Sequence, residues 1–453
     1  MYARSLAALC TLGLLLSSCG PVRPVAASPS PGVERIGHVI VVYLENRSFD
    51  GLYGSFPGAN GLPQAAAIAP QLDKAGNPYA ALPRAMDNSK TPAVADARFP
   101  TELANRPFDL ASYAPADQPI GNPVHRFYQE QLQIDGGKMD RFVAWTDVGG
   151  LVMGTYDARE LPIGRLAAQY TLTDNFFHAA FGGSFLNHMW LACACTPAWS
   201  DAPKARVAQV ESDGRLAKDG DLTPDGFVVN TTYTVNAPHP KTTAAADLLP
   251  SLTNPTIGDR LTAKGVDWAW YSGGWDDAIA GRPDPTFVFH HQPFAYFASY
   301  ADGTDGRRQH LKDERDFMSA LRDRTLPAVS FVKPIGADSG HPKYGDVRRG
   351  EDHVAALVKA VQDSEYWKDT VIVLTYDENG GFWDHVAPPT IDRWGPGTRV
   401  PTIVVSPFAK KGYVDHTRYD TTSILRLIEI RWGLDPLGPR DAAADPLTGA
   451  FGF

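Results

Sequence analysis

The stretch Thr375-Tyr376-Asp377-Glu378-Asn379-Gly380-Gly381-Phe382-Trp383-Asp384-His385 constrains this chain more than any other. Val371-Ile372-Val373-Leu374 before it is a β-branched apolar run with the length and composition of a buried strand. The run stops at two adjacent acids, and Asn-Gly-Gly then breaks the extended structure. In an open α/β sheet, sites form outside the carboxyl ends of the strands. The pattern therefore places two carboxylates, two flexible glycines and an Asp-His pair where such a fold does its chemistry. For Asp377-Glu378 taken alone, a solvated turn with a helix cap is the plainer reading.

A second stretch has the same shape. His38-Val39-Ile40-Val41-Val42-Tyr43-Leu44 is a short apolar strand that ends in Glu45-Asn46-Arg47-Ser48-Phe49-Asp50-Gly51. Two parallel strands that deliver carboxylates at the same end can share one metal ion. Glu45, Asn46, Asp377 and Glu378 are hard oxygen donors, the kind that Mg²⁺, Mn²⁺ and Ca²⁺ prefer. Asn46 and Ser48 also suit the N-cap of a following helix.

Together the two segments carry a resemblance. Glu-Asn-Arg-Ser-Phe-Asp after a strand that opens with His38, and a late Tyr-Asp-Glu-Asn-Gly-Gly-Phe-Trp-Asp-His-Val-Ala-Pro-Pro, are similar to motifs of the bacterial phosphoesterase family of phospholipases C and acid phosphatases. Both motifs are long, stand in the family's order, and extend the resemblance over about residues 36 to 432. The resemblance implies an α/β fold, the three-layer sandwich of the alkaline-phosphatase superfamily, with a mostly parallel central sheet, helices on both faces and loop or β insertions. It implies a divalent metal ion held by Glu45, Asn46, Asp377 and Glu378, with Ca, Mg, Mn and Zn all open. It also implies a single catalytic domain over 35–453, with an insertion at about 197–255.

Other positions match the family one by one. Ser184, in Gly182-Gly183-Ser184-Phe185-Leu186-Asn187-His188, stands where the family has its phosphoryl-accepting Ser or Thr, and Asn187 where it has an Asn three residues later. Leu186 departs from the Pro that the family often has there. The residues alone leave Ser184 either as an N-cap or as a hydroxyl whose alkoxide a helix end and a divalent ion would stabilise. His125 opens a helix-like run stopped by Gly136-Gly137 and matches a family His upstream of Gly-x-Met-Asp; a surface His is the other reading. His290 and His291 are adjacent in an aromatic Pro-Phe setting that the family shares. A zinc site there would want a third ligand, and none stands nearby in the chain. His341-Pro342 matches a family His-Pro in the loop after the strand-like run 326–333. His353 falls on the surface of an amphipathic helix whose other face holds Val354, Leu357, Val358 and Val361.

Composition allows a large core, with 43% hydrophobic and 21% charged residues in 453, and the formal charge of -9 carries no footprint for nucleic acid. Residues 51–123 lack periodicity and read as loops and short helices over one end of the sheet. Residues 221–235, inside the insertion, read as a β excursion shaping the substrate pocket. In the aromatic stretch 266–275, Trp268 and Trp270 read as core, and Tyr271 and Trp275 as nearer a pocket. Residues 421–432 read as a capped amphipathic helix.

Arg4 precedes an apolar run over 6–16, too short to span a membrane comfortably, that ends in Leu16-Ser17-Ser18-Cys19-Gly20. Residues 1–18 read as a signal peptide, Cys19 as a lipid-bearing anchor and 19–34 as a flexible tether. That places an exported lipoprotein in the periplasm or at the cell surface; cleavage after Ala26-Ala27 and secretion is the alternative. Cys193 and Cys195 stand one residue apart, a spacing that poorly suits a mutual disulfide, and read as core residues.

The expected reaction is hydrolysis of a phosphate monoester, as in an acid phosphatase. Ser184 attacks phosphorus to give a phosphoserine, while Asn187, His125, His290, His291 and His341 hold phosphoryl oxygens or protonate the leaving group. Imidazoles that titrate near pH 6.5 would favour acidic pH. The expected partner is a small phosphate ester or a phospholipid head group. Phospholipase C action on phosphatidylcholine-type diesters is the alternative. A sulfatase would need Cys or Ser followed by Pro and Arg, which Ser184-Phe185-Leu186 lacks. A non-catalytic surface lipoprotein holding structural Ca²⁺ is a third reading.

Overall fold

The two apolar runs that end in acids are seven-residue strands, β1 (His38–Leu44) and, later in the chain, Thr370–Tyr376. They are neighbours in one eight-stranded sheet. In chain order its other members are β2 (Thr171–Thr173), β3 (Trp268–Ser272), β4 (Leu311–Asp313), β5 (Val329–Lys333), β7 (Thr402–Val405) and β8 (Tyr413–Asp415), with Thr370–Tyr376 as β6. The order across the sheet is β4-β3-β5-β1-β6-β7-β2-β8. Only β7 runs against its neighbours; every other pairing is parallel. The computed structural model describes residues 31–65, 68–212 and 215–453. The expected signal segment, Cys19 and the tether up to residue 30 lie outside the described residues.

β1, β5 and β6 are apolar on both faces because helices cover both, the usual condition of a parallel sheet. On one side α3 (Pro162–Gln169) and α6 (Glu314–Asp323) pack against the long α7 (Val347–Gln362); on the other, α4 (Ser184–Cys193) packs against α5 (Ile257–Ala263) and α8 (Thr421–Trp432). This is the expected three-layer α/β architecture. Two short helices, α1 (Phe49–Tyr53) and α2 (Phe127–Ile134), lie in the segments above the carboxyl ends of the strands.

Four local expectations change. Residues 421–432 do form a helix, capped by Asp420 accepting from Thr422 N at 2.7 Å, but it is buried nearly all round rather than amphipathic. Arg426 and Glu429, which would mark its wet face, are buried and paired with each other at 3.4 Å. Residues 221–235 form isolated bridges, such as Leu222 with Val228, and no strand. Residues 31–34 are not tether: Val33 is buried, and Gly32 lies against the ring of Phe453. Cys193 and Cys195 form a disulfide after all. Ala194 between them is left-handed (φ 47°) at the end of α4 and turns the chain back, bringing the Cα atoms to 5.1 Å, within bridging range.

Residues just before β1 and the last residues of the chain meet at one end of the sheet. The Arg35 guanidinium, just before β1, sits 4.8 Å over the ring of Phe408 and 6.0 Å over that of Phe453. The acids that follow β1 and β6 emerge at the other end.

A candidate metal-dependent active site

β1 and β6 end in register, Leu44 beside Tyr376, and their following loops are laced together. Asp377 N donates to Leu44 O (3.0 Å), Asn46 N to Asp377 Oδ1 (3.3 Å) and Arg47 N to Glu378 O (3.1 Å). Asn46 has φ 61°, in the left-handed region that Asn tolerates better than most residues. Gly380 lies against it with φ 65°, and a β-carbon there would meet Asn46 Cβ at 2.7 Å. Asn-Gly-Gly therefore both ends the strand and lets the two acidic loops touch. Ser48, not Asn46, caps α1, accepting from Gly51 N at 3.1 Å.

Glu45, Asp377 and Glu378 are fully buried, and each brings a carboxylate oxygen within 4.8 Å of the others. The Asn46 carboxamide oxygen points at Glu45 Oε2 (2.6 Å) and Glu378 Oε1 (2.8 Å). Asp377 Oδ2 has no hydrogen-bond partner. Two like charges 4 Å apart repel by about 4 kcal/mol at an effective dielectric of ~20. Turning the Asn46 amide over would satisfy that one side chain. Repulsion among the carboxylates themselves is relieved by a cation or by protons. The all-oxygen donor set thus fits a hard divalent ion.

The electrostatics say the same. Burial, then the charge of Glu45, pushes the Asp377 carboxyl well above the usual range; burial, then Asp377 and Glu45, does so for Glu378. Glu45 goes the other way. Burial opposes its charge, but His291 and Lys333 outweigh burial and hold it well below the usual range.

Ser184 opens α4, with Gly183 as the N-cap. Its Oγ donates to Glu45 Oε2 at 3.0 Å and lies 3.4 Å from Glu378 Oε1. The hydroxyl thus stands between a helix N-terminus and the acid cluster. His125, His290, His291 and His341 line the same cavity as Ser184, of about 350 Å³. His125 Nδ1 donates to Pro123 O (2.6 Å), leaving Nε2 3.4 Å from Glu378 Oε1. His341 Nδ1 accepts from Lys343 N (3.3 Å), so its own proton sits on Nε2, 3.4 Å from Asn46 Nδ2. His291 Nε2 is 2.7 Å from Glu45 Oε1. Burial lowers the pKa of His125, His290 and His291 and pushes His341 down to about 3.

Asn187 is brought close but is otherwise engaged. Its amide donates to Ala180 O (3.0 Å) and Gly183 O (3.2 Å) and accepts from Ala180 N (2.9 Å), so it shapes the turn that presents Ser184 and does not line the cavity. Tyr271 and Trp275 are buried away from this cavity, and His353 pairs with Glu314 at 2.5 Å. The Asp384-His385 pair also lies behind the site. Arg399, fully buried, bonds Asp384 Oδ1 (2.9 Å) and Asp50 Oδ1 (3.1 Å), and Asp50 Oδ2 accepts from the backbone and ring of His385.

Two residues join the set that the sequence did not mark. His188, one helical turn after Ser184, donates Nδ1 to Ser184 O (2.7 Å) and leaves Nε2 without a partner. Its ring stacks on His291 at 5.1 Å. Glu45, His188 and His291 form a second group able to hold a metal, so the third ligand missing near His291 in the chain comes from α4 and the end of β1. The i, i+4 spacing of Ser184 and His188 was the available signal. Lys333, the last residue of β5, is fully buried with Nζ 2.5 Å from Glu45 Oε1. A lysine ending a strand carries no such signal, since lysines almost never bury fully.

The sequence model of the phosphoesterase family matches residues 36–435. Phospholipase C B of Mycobacterium tuberculosis is 26% identical over 500 residues, covering 99% of this chain and 84% of its own length. Non-hemolytic phospholipase C of Pseudomonas aeruginosa is 25% identical over 465 residues, covering 92% of this chain and 57% of its own length. A solved structure of a protein in the alkaline phosphatase superfamily from Vibrio parahaemolyticus aligns over 75% of this chain and 74% of its own, with 10% identity and a TM-score of 0.36.

Proposed function

The chain belongs to the phosphoesterase family and is a phosphoric ester hydrolase, and from that premise we propose that it cleaves the phosphodiester of a phospholipid head group, as a phospholipase C, through Ser184. The observation that carries this reading is the Ser184 hydroxyl on the cavity wall, 3.0 Å from Glu45 and on the first residue of α4. A divalent ion held by Glu45, Asn46, Asp377 and Glu378 would lower the pKa of that hydroxyl and offset phosphoryl charge. The α4 N-terminus favours the alkoxide. Ser184 Oγ gives up its proton and bonds to phosphorus, the bond from phosphorus to the lipid alcohol breaks and that alcohol leaves protonated, and water then cleaves the bond from phosphorus to Oγ, releasing the phosphorylated head group and restoring the serine hydroxyl. His341 offers an N–H and His125 a lone pair to the reacting groups. Asn187 holds the turn beneath Ser184.

Two features favour a diester over the monoester expected at first. Imidazoles whose pKa burial lowers offer hydrogen bonds with less positive charge, which suits the single charge of a diester better than the double charge of a monoester. The relatives named phospholipase C point the same way. Burial lowers the pKa of all four histidines, which works against the acidic preference expected from them. The non-catalytic reading falls with the family assignment.

Ser184→Ala is expected to lower turnover of p-nitrophenyl phosphorylcholine by about 10³-fold or more. The native protein should turn over that diester and phosphatidylcholine faster than p-nitrophenyl phosphate. Cleavage of the monoester alone would restore the acid-phosphatase reading, and an unimpaired Ser184→Ala would remove the nucleophile.

Export belongs to the same proposal. The Cys193–Cys195 disulfide suits an oxidising compartment. No helix among the described residues is long and apolar enough to cross a membrane. Attachment is assigned to lipid on Cys19, and Cys19→Ser should move the protein from the membrane fraction to the soluble one; an unchanged distribution would refute the anchor.

A further inference from the structure

Among the described residues three groups could hold a metal; the Asp50, Asp384 and His385 group is already met by Arg399, and Glu45 belongs to the other two, the carboxylate trio with Asp377 and Glu378 and the trio with His188 and His291. Its two oxygens are divided between them. Oε2 faces Ser184 and Asn46, on the side of the other acids. Oε1 faces His291 at 2.7 Å and Lys333 Nζ at 2.5 Å. Lys333 reaches this spot from β5, adjacent to β1, with its ammonium 5.2 Å over the ring of Tyr43 and 3.3 Å from Leu44 O. It is fully buried, so its charge is balanced locally or not at all.

The charges close on a simple sum. Three buried carboxylates are met by one ammonium and one divalent ion. A second divalent ion at the Glu45, His188 and His291 group would share Oε1 with the ammonium and leave excess positive charge in a buried place. We propose that Lys333 serves as the second cation of this centre, so that the native protein takes one divalent ion, and that removing the lysine opens the Glu45, His188 and His291 group to another. This rests on the metal-dependent reading above. It gives His188 a latent role, since its Nε2 has no partner and it belongs to the group that shares Glu45 with the lysine.

The test is metal stoichiometry, read by elemental analysis and titration calorimetry with Mn²⁺ and Zn²⁺ separately. The native protein should bind one equivalent, Lys333→Met two, and Lys333→Met with His188→Ala one again. Two equivalents on the native protein would overturn the proposal while leaving metal dependence standing, as would one equivalent on Lys333→Met. Should Lys333→Met not fold, His188→Ala alone decides. It should keep its single ion with affinity within about threefold, and loss of that ion would overturn the proposal. A native protein that binds no metal would sink both this inference and the metal-dependent reading.

Discussion

Glu351 touches no part of the cavity, yet it should set much of the pH dependence of stability. It lies on α7, buried, with Oε2 accepting from Ile163 N at 2.5 Å at the start of α3 and Oε1 without a partner. Burial pushes its carboxyl up to about 8. The folded state therefore holds a proton that the unfolded chain releases above the ordinary glutamate value. Stability from this group is complete below about pH 4.5 and is lost as pH rises toward 8. Glu351→Gln keeps an acceptor and removes the titration. Unfolding followed from pH 5 to 9 should show native stability falling relative to the variant by an amount on the order of 4 kcal/mol; parallel curves would refute the assignment. Single residues were unevenly legible in the sequence. Glu45, Asn46, Asp377 and Glu378 stood out because each acid-bearing run ended a strand. His188 and Lys333 did not, since what distinguishes them is burial beside a distant partner, and local pattern does not report that.

The loops that carry the acids are held as elements by a shared fastening. Arg399, at the approach to β7, joins Asp50 after β1 to Asp384 after β6, and its Nη1 donates to Asp174 O (2.7 Å) and Asn60 O (2.8 Å). Arg399→Met would leave two buried carboxylates without their cation. A loss of about 3–5 kcal/mol in denaturant unfolding is expected, with turnover falling as the two loops lose their common anchor. A variant within about 1 kcal/mol of the native protein and fully active would show that the pairing is incidental. The strands themselves were easy to read, because a sheet covered on both faces demands continuous apolar runs. The Asp-His pair was placed at the end of the sheet where such a fold does its chemistry, and it lies outside the cavity lining. Its true neighbour, Arg399, sits fifteen residues beyond Asp384, and nothing in the spacing announces the meeting. The reversal of β7 and the burial of α8 on all sides were hidden for a like reason: both depend on which layer covers them.

For the molecule as a whole, folding gathers three carboxylates that repel one another, so the native state should depend on its ion. An ion present at about a hundred times its Kd adds about 2.7 kcal/mol of stability. Chelation should therefore lower Tm by several degrees and abolish turnover together, and adding the metal back should restore both. A Tm unmoved by verified removal of metal would mean that the acids are neutralised by protons instead. The three-layer plan was legible from strand ends and loop composition, whereas the insertion at about 197–255 was legible only in outline. Its bridges are isolated, and Val229, Asn230 and Thr231 reach the cavity wall from irregular backbone. Finally, residues 32 and 453 touch at the end of the sheet where β1 begins, one strand length, about 20 Å, behind the cavity. Anything joined after residue 453, whether an affinity handle, a fused reporter or a solid support, hangs from the rear of the molecule. A layer of this protein attached through residue 453 would present its cavities outward, to whatever flows past.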